Sequence, residues 1–347
     1  MLIGGKIFME TAIKTPITSS ELGTLWTTYQ RTKMMVILIE HLIDKSENEE
    51  SKKILIDFTN ETEKHISELE IIFSNDKAIT PEAFSQKDVF KEAPPLFEDM
   101  FGIIFLRLLM KMDMGANAVN LSMAYRKDIR EYYKRASIYS QDTYDLCTDF
   151  LLNKGVLARP PYVTMPKKVE FVEEKKYTSG IKIFGNKRAL NTIEVGFLVQ
   201  SLEFNIFGMQ LMTGFAQVAT ESEVKKYFIK GKELAKKIVT DFSSILLQSD
   251  IQPPSTWAGN ATNSIETPFS DKIMMFLTNL MSIYALGYNA LGVSFSLRSD
   301  LPAKLLFVEK DTLSYAGEGG KLMIKHKWLE EPPQMDDRNE LTKSNEN

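Results

Sequence analysis

Two side chains in the first half of the sequence, Glu61 and His65, have the types and spacing that could bind a metal ion. Residues four apart on a helix lie on the same face, and an imidazole with a carboxylate is a common pair of metal ligands. Asp113 and Asp142 are further candidate carboxylates, but helical periodicity does not bring them to the same point. A hydrogen-bonded structural role for His65 is therefore favoured over metal binding.

Other chemically capable residues also have structural interpretations. The single cysteine, Cys147, cannot form an intrachain disulfide and lies among apolar and acidic residues, which favours a buried, unreactive thiol. Glu21 and Glu194 each stand three residues after a capping residue, Thr18 or Asn191, so a capping box is predicted at both positions. The sequence has no phosphate loop, paired zinc-ligand motif or nucleophile elbow.

Composition and charge disfavour several classes of partner. Hydrophobic residues make up 44% of the 347 residues, charged residues make up 25%, and the formal net charge is −4. This balance gives no overall attraction to nucleic acid, and the lysines and aromatics at 132–139 are better explained by an amphipathic helix. The most apolar run, 101–110, is too short and too charged to span a membrane. With no secretory signal recognised, a cytoplasmic location is expected.

The sequence repeats itself at a nearly constant offset. Glu21-Leu22-Gly23 recurs as Glu194-Val195-Gly196, 173 residues later. After one residue is lost the offset becomes 172, and it relates the following residues: Gly115 to Gly287, Asn117 to Asn289, Arg126 to Arg298, Asp128 to Asp300, and Pro160-Pro161 to Pro332-Pro333. One register held over ~140 residues with a single gap predicts an internal duplication of one structural unit.

Within each unit, apolar residues recur at three- and four-residue spacing, which predicts helices. The predicted helices are 20–45, 48–74, 97–126 and 129–155 in the first unit, and 192–219, 221–248, 269–298 and 301–328 in the second. The fold class is therefore all-α, with two tandem four-helix bundles. The predicted domains are a flexible segment at 1–17, bundles at 18–161 and 190–333, a linker at 162–189, and a disordered tail at 334–347.

Several details of the helices are also predicted. Asp128 and its repeat counterpart are expected to cap the fourth helix of each unit, and Arg126 to end the preceding helix, where the dipole favours a cation. Gly115 is expected to allow close packing or a bulge, since glycine in mid-helix costs ~1 kcal/mol relative to alanine. Asn117 and Asn289 are expected to face inward with hydrogen-bond partners. In the linker, a β-hairpin and an extended strap both remain open.

Six tracts carry a resemblance to a known family: ELGTLWTTY at 21–29, APPLFED at 93–99, RPPY at 159–162, GFAQVA at 214–219, PFSD at 268–271 and WLEEPPQ at 328–334. They resemble a family of spore-forming Gram-positive bacteria that is catalogued as a domain of unknown function, often present in two copies. The resemblance covers nearly the whole chain. It implies a ferritin-like fold related to spore coat proteins, and it implies no established activity.

A ferritin-like fold raises the question of a metal centre. Di-iron bundles take a glutamate from each of two helices and a Glu-x-x-His motif from each of the other two. Neither His65 nor His326 follows a glutamate by three residues, so the motif is missing. In the second unit Leu234 and Ile238 replace Glu61 and His65, which argues against a shared metal role. No cofactor is therefore expected.

These observations leave two functions of different classes. The favoured one is a non-enzymatic helical scaffold or interaction protein, which the resemblance associates with sporulation or the spore coat. Such a protein would act through a protein partner or through self-association. The alternative is a ferritin-like metal-binding protein or metal-dependent oxidoreductase.

Overall fold

Eight long helices in two repeated sets of four make up most of the chain. The computed structural model describes residues 15–179, 188–254 and 259–344. The helices are α1 (Ser19–Lys45), α2 (Glu49–Asn75), α3 (Phe101–Ser122), α4 (Lys127–Asn153), α5 (Thr192–Val218), α6 (Ser222–Leu247), α7 (Asp271–Phe295) and α8 (Asp300–Lys325). The prediction of an all-helical chain with two repeated halves is confirmed. Across these ranges, no helix is long and apolar enough to cross a membrane.

The segments outside the long helices differ in part from the predictions. Val169 and Phe171 in the linker are 82% and 85% exposed, and the one regular element described there is a 3₁₀ turn, Lys175–Thr178. Gly180–Lys187 would hold the second strand of a hairpin and lie outside the described residues. In the tail predicted to be disordered, Arg338–Ser344 forms the short helix α9, whose first turn is capped by Asp337.

The capping boxes predicted at the start of α1 and α5 are confirmed. The Glu21 carboxylate accepts the backbone N–H of Thr18 at 2.9 Å, and the Thr18 hydroxyl accepts the N–H of Glu21 at 3.3 Å. Glu194 and Asn191 make the same two bonds at 3.0 and 2.9 Å. Both glutamates therefore satisfy helix amides that would otherwise be unpaired.

Glu21 also joins the start of α1 to the corner between α3 and α4. Its Oε1 accepts the backbone N–H groups of Tyr125 and Arg126 at 2.8 and 2.6 Å. In the second unit Glu194 accepts the two corresponding N–H groups at 3.2 and 2.9 Å. The structural interpretation of these repeated glutamates is confirmed, because each carboxylate is saturated by bonds that hold the helix ends together.

The repeated Arg-x-Asp lies at that corner, but not in the roles predicted. Arg126 immediately precedes α4 and does not end α3, while Asp128 lies in the first turn of α4 and is not its N-cap. Arg126 donates to Asp128 at 3.0 and 2.6 Å, and Arg298 pairs with Asp300 in the same way. Helix α3 ends at Ser122, earlier than predicted, because the glutamate from α1 takes the backbone N–H groups of the corner.

The helices pack first as neighbouring pairs and then across the two units. In the first unit α1 packs along α2 and α3 along α4, and in the second α5 packs along α6 and α7 along α8. One buried hydrophobic cluster continues from the first unit into the second. Within it the Phe207 ring of α5 stacks on Phe101 and Phe105 of α3, at centroid distances of 5.2 and 5.8 Å. The two units therefore share a core.

Two loops cross between the units and exchange the same hydrogen bonds in both directions. We call residues 86–99 and 259–270 the crossed loops. Phe90 N–H donates to the Pro268 carbonyl at 2.9 Å, and Thr262 N–H donates to the Leu96 carbonyl at 2.9 Å. At the repeat offset of 172, residue 90 corresponds to 262 and residue 96 to 268. Each bond is therefore the repeat equivalent of the other.

Candidate functional site

An ion pair occupies the centre of the first unit, where the four helices face one another. Arg31 on α1 places Nε 2.6 Å from Oδ1 of Asp113 on α3, and both side chains are almost fully buried. Burial disfavours the charge on Arg31, but Asp113 and the neighbouring tyrosine side chains together outweigh burial and raise the pKa of the guanidinium above its usual value. Arg31 also donates to Oδ1 of Asn117 at 3.4 Å. The centre is therefore held by charge and amide contacts.

His65 on α2 lies at the edge of this cluster. Its ring contacts Tyr132 and Tyr139 of α4, with centroid distances of 5.9 and 5.2 Å. Burial lowers the pKa of His65, against the opposing effect of Glu68 and Glu61, so the neutral ring is favoured. Within the described chain its buried Nδ1 has no hydrogen-bond partner. The predicted hydrogen bond is therefore not made by Nδ1, and aromatic packing holds the ring.

The four candidate metal ligands are not brought together. Glu61 pairs with Lys64 on the outer surface of α2 at 2.5 Å, Asp113 pairs with Arg31, and Asp142 is exposed on α4. Over the described ranges, no group of three or more His, Cys, Asp or Glu side chains could hold a metal ion. A guanidinium repels cations and engages the one central carboxylate. The residues present therefore do not fit the di-metal centre of a ferritin.

Arg31 is the residue that sequence reasoning missed. It lies on α1, and its repeat counterpart at the offset of 173 is Phe204, a buried aromatic residue of α5. Because the repeat aligns Arg31 with a phenylalanine, the sequence indicates that the arginine is itself buried. Since a buried charge requires a partner, this alignment could have directed attention to Asp113 as well.

The central ion pair is not repeated in the described part of the second unit, because Phe204 and Ala285 occupy the positions of Arg31 and Asp113. A cavity of about 70 Å³ remains there, lined mainly by small and apolar side chains of α5 to α8. Asn289 lies beside it, and its Oδ1 accepts a hydrogen bond from the Ser201 hydroxyl at 3.2 Å. The two halves therefore share the same order of helices but differ in the side chains at their centres.

The repeated asparagines behave as predicted, whereas close packing, one of the two explanations predicted for the repeated glycines, is wrong. Asn117 and Asn289 are 1% and 5% exposed, and each makes a hydrogen bond inside its unit. A Cβ built on Gly115 or Gly287 would meet nothing within 4 Å, so close packing does not explain these glycines. Cys147 is fully buried, as predicted, and burial raises its pKa to about 12.

The comparison with protein families matches both halves. The family described as "protein of unknown function (DUF3231)" matches residues 6–169 and again residues 178–341. The chain belongs to the DUF3231 family. The expected two copies of a domain of unknown function are thereby confirmed.

Other comparisons add one distant structural match. No curated protein matches the chain. A solved structure from Bacillus halodurans, described as a "putative spore coat protein", is 15% identical to the chain. It covers 43% of this chain and 98% of its own, with a TM-score of 0.41.

Several charged residues that recur in both DUF3231 units bind the backbone at helix ends. Besides the glutamates and the Arg-x-Asp corner, Asp99 accepts the N–H groups of Glu47 and Asn48 at 3.0 and 3.2 Å. Its counterpart Asp271 accepts the N–H groups of Thr220 and Glu221 at 3.1 and 2.8 Å. These repeated residues hold helix ends in place in both halves of the chain.

Proposed function

We propose that this protein is a non-enzymatic helical scaffold that acts by binding a protein partner or a second copy of itself. Each half is, in this proposal, a ferritin-like four-helix bundle without metal chemistry. The bundles span 18–161 and 190–333, joined by the linker at 162–189 and flanked by the segments 1–17 and 334–347. The observation that carries the proposal is the Arg31–Asp113 pair at the centre of the first unit.

The ion pair supports this function because it uses the space and the ligand that a metal would need. In a di-iron bundle, carboxylates from all four helices converge on the metals. Here Asp113 is the central carboxylate, and a guanidinium 2.6 Å away neutralises it. Displacing Arg31 would leave a buried cation without its partner, which costs several kcal/mol. The second unit supports the same conclusion by a different route, since Phe204 and Ala285 provide no ligand atoms.

The thiol and the shared core also favour a structural function. Burial raises the pKa of Cys147 to about 12, so at neutral pH the thiolate that would act as nucleophile is scarce. The two units share one hydrophobic cluster and are joined by the hydrogen bonds of the crossed loops. They therefore pack together, although their sequences differ. A body of this kind suits a protein that positions other molecules.

Metal content tests the proposal directly. Elemental analysis of the purified full-length chain is expected to find iron, manganese and zinc well below one atom per chain. A His65→Gln variant is expected to fold normally and to have the same metal content. A stoichiometric metal in the native protein that disappears in His65→Gln would establish the metal-binding alternative and reject the scaffold proposal.

The sequence resemblance supports a place for this scaffold in sporulation or at the spore coat. A fluorescent fusion expressed in sporulating cells is expected to gather at the developing spore. A fusion that stays evenly distributed in the mother cell throughout sporulation would contradict this part of the proposal and leave the scaffold function to be judged by metal content.

A further inference from the structure

A cavity of about 310 Å³ lies at the junction of the two units. Its walls come from α3, α4, α5 and the segment that follows α4. Most of the lining is apolar, with the aliphatic and aromatic side chains Ile104, Leu108, Leu151, Val199, Ile206 and Phe207. This volume is at the lower end of the ~300–1,000 Å³ typical of small-molecule sites. The cavity is therefore large enough for a small organic ligand with an apolar body.

The lining of the cavity includes two cations and one carboxylate. Arg107 and Lys111 of α3 donate to the two oxygens of Glu203 on α5, at 2.5 and 2.6 Å. Burial raises the pKa of Glu203, but Lys111 and Arg107 outweigh burial and hold it below its usual value. The carboxylate is therefore ionised, and this group of three side chains keeps one net positive charge.

A side-chain amide at the same junction lacks a partner. The Nε2 atom of Gln200, one turn of α5 before Glu203, is buried and makes no hydrogen bond to any described residue. A buried donor without an acceptor costs roughly 1–3 kcal/mol. A ligand oxygen bound here would satisfy it and would meet the positive charge at the same time.

The three charged residues are not repeated at the equivalent positions of the other half. At the repeat-equivalent junction, Gln30 stands in place of Glu203, Asn279 in place of Arg107, and Ile283 in place of Lys111. The charged cavity is thus a feature of one side only.

We propose that this cavity binds a small amphipathic carboxylate, with its apolar body between α3 and α5 and its carboxylate at Lys111 and Gln200. Arg107 has less capacity for a ligand, because it also donates to Tyr144 at 2.7 Å and Thr148 at 2.9 Å. Lys111 has ammonium hydrogens to spare after bonding Glu203. The site does not depend on the scaffold function, since a ligand could bind here whatever the protein assembles with.

Gly196 provides the means to block the cavity. It lies on the exposed side of α5 and lines the cavity, and a Cβ there would meet no atom within 4 Å. A leucine at this position would extend into the opening without displacing the backbone. Gly23, its repeat counterpart on α1, has the same free space and lies outside the cavity. Gly196→Leu and Gly23→Leu therefore form a matched pair of variants.

Isothermal titration calorimetry of the full-length chain with decanoate, and with decanol as the uncharged analogue, tests the proposal. Decanoate is expected to bind one saturable site, and decanol to bind about tenfold more weakly or worse, because it cannot form a charge-assisted hydrogen bond. Lys111→Met is expected to weaken decanoate about tenfold and leave decanol unchanged, since Arg107 still pairs Glu203. Gly196→Leu should abolish binding, and Gly23→Leu should retain it.

Three results would overturn the proposal. Decanoate that shows no saturable binding to the native chain removes the site. Equal affinities for decanoate and decanol would show that the cavity does not recognise the carboxylate of the ligand. Equal binding by Gly196→Leu and Gly23→Leu places the ligand elsewhere. The first two comparisons use the native protein, so a variant that fails to fold does not prevent a decision.

Discussion

Replacement of Arg31 by phenylalanine is the sharpest test of how the first unit is built. The side chain is 6% exposed and its partner Asp113 is 12% exposed, so the variant leaves a carboxylate inside the first unit without its counterion. Removing one partner of a buried ion pair costs about 3–5 kcal/mol. We expect Arg31→Phe to lower the free energy of unfolding by this amount. For comparison, Glu61→Ala breaks an exposed pair and should cost less than about 1 kcal/mol.

The double variant Arg31→Phe with Asp113→Ala shows whether the ion pair itself is responsible. It reproduces the arrangement of the second unit, where Phe204 and Ala285 stand at these positions. Replacing both partners of a buried pair with apolar residues is often nearly neutral, so we expect the double variant to recover most of the lost stability.

Urea unfolding, followed by circular dichroism under one condition, is measured for the native chain, for the single variants Arg31→Phe and Asp113→Ala, and for the double variant. The midpoint and slope of each curve give the free energy of unfolding. The reasoning fails if Arg31→Phe costs less than about 1 kcal/mol, or if the double variant is as unstable as the sum of the singles.

Three further predictions concern packing, pH and a buried amide. A Cβ on Gly214 would lie 2.6 Å from the Phe97 ring, so Gly214→Ala should lower the free energy of unfolding by about 1–3 kcal/mol in the same urea assay. The control Gly208→Ala, where a Cβ has free space, should raise the free energy of unfolding by up to ~1 kcal/mol. Burial lowers the pKa of His41 from 6.5 to about 4, so below pH 6.5 the unfolded chain binds a proton that the folded chain excludes. Stability should therefore fall by up to about 3 kcal/mol between pH 6.5 and 4, and an unchanged pH profile in His41→Phe would contradict this. Asn289→Leu strands its serine partner and should cost about 1–3 kcal/mol in thermal unfolding; an unchanged midpoint would show that the bond contributes nothing.

Local features of the fold could be predicted from the sequence because they depend on residues close together in the chain. The capping boxes need only Thr18 with Glu21, and Asn191 with Glu194. The repeat then added independent support, since each helix was expected twice. The position of Arg126 could not be predicted in the same way, because α3 ends where Glu21, 105 residues away, binds the corner.

The side chains at the centres of the two units and at their junction could not be predicted, because they depend on which helices meet. Periodicity places Arg31 on α1 and Asp113 on α3, but it does not say that their side chains touch. The ion pairs at the junction are even harder to predict from the sequence, because Lys111 and Glu203 belong to different units and their repeat counterparts are uncharged. For the same reason the sequence made His65 a candidate metal ligand by residue type, although its ring packs against the aromatic rings of Tyr132 and Tyr139.

The crossed loops have a consequence for how the two halves can differ. Because their hydrogen bonds are the same in both directions, the contact is isologous, the type by which two identical subunits pair about a two-fold axis. Here the two partners belong to one polypeptide, so their association is intramolecular, with an effective concentration in the mM range typical of short tethers. Each half always meets the other and never a copy of itself at this contact. The duplicated chain is thus equivalent to a permanent heterodimer, in which a substitution can be kept on one side of the axis alone.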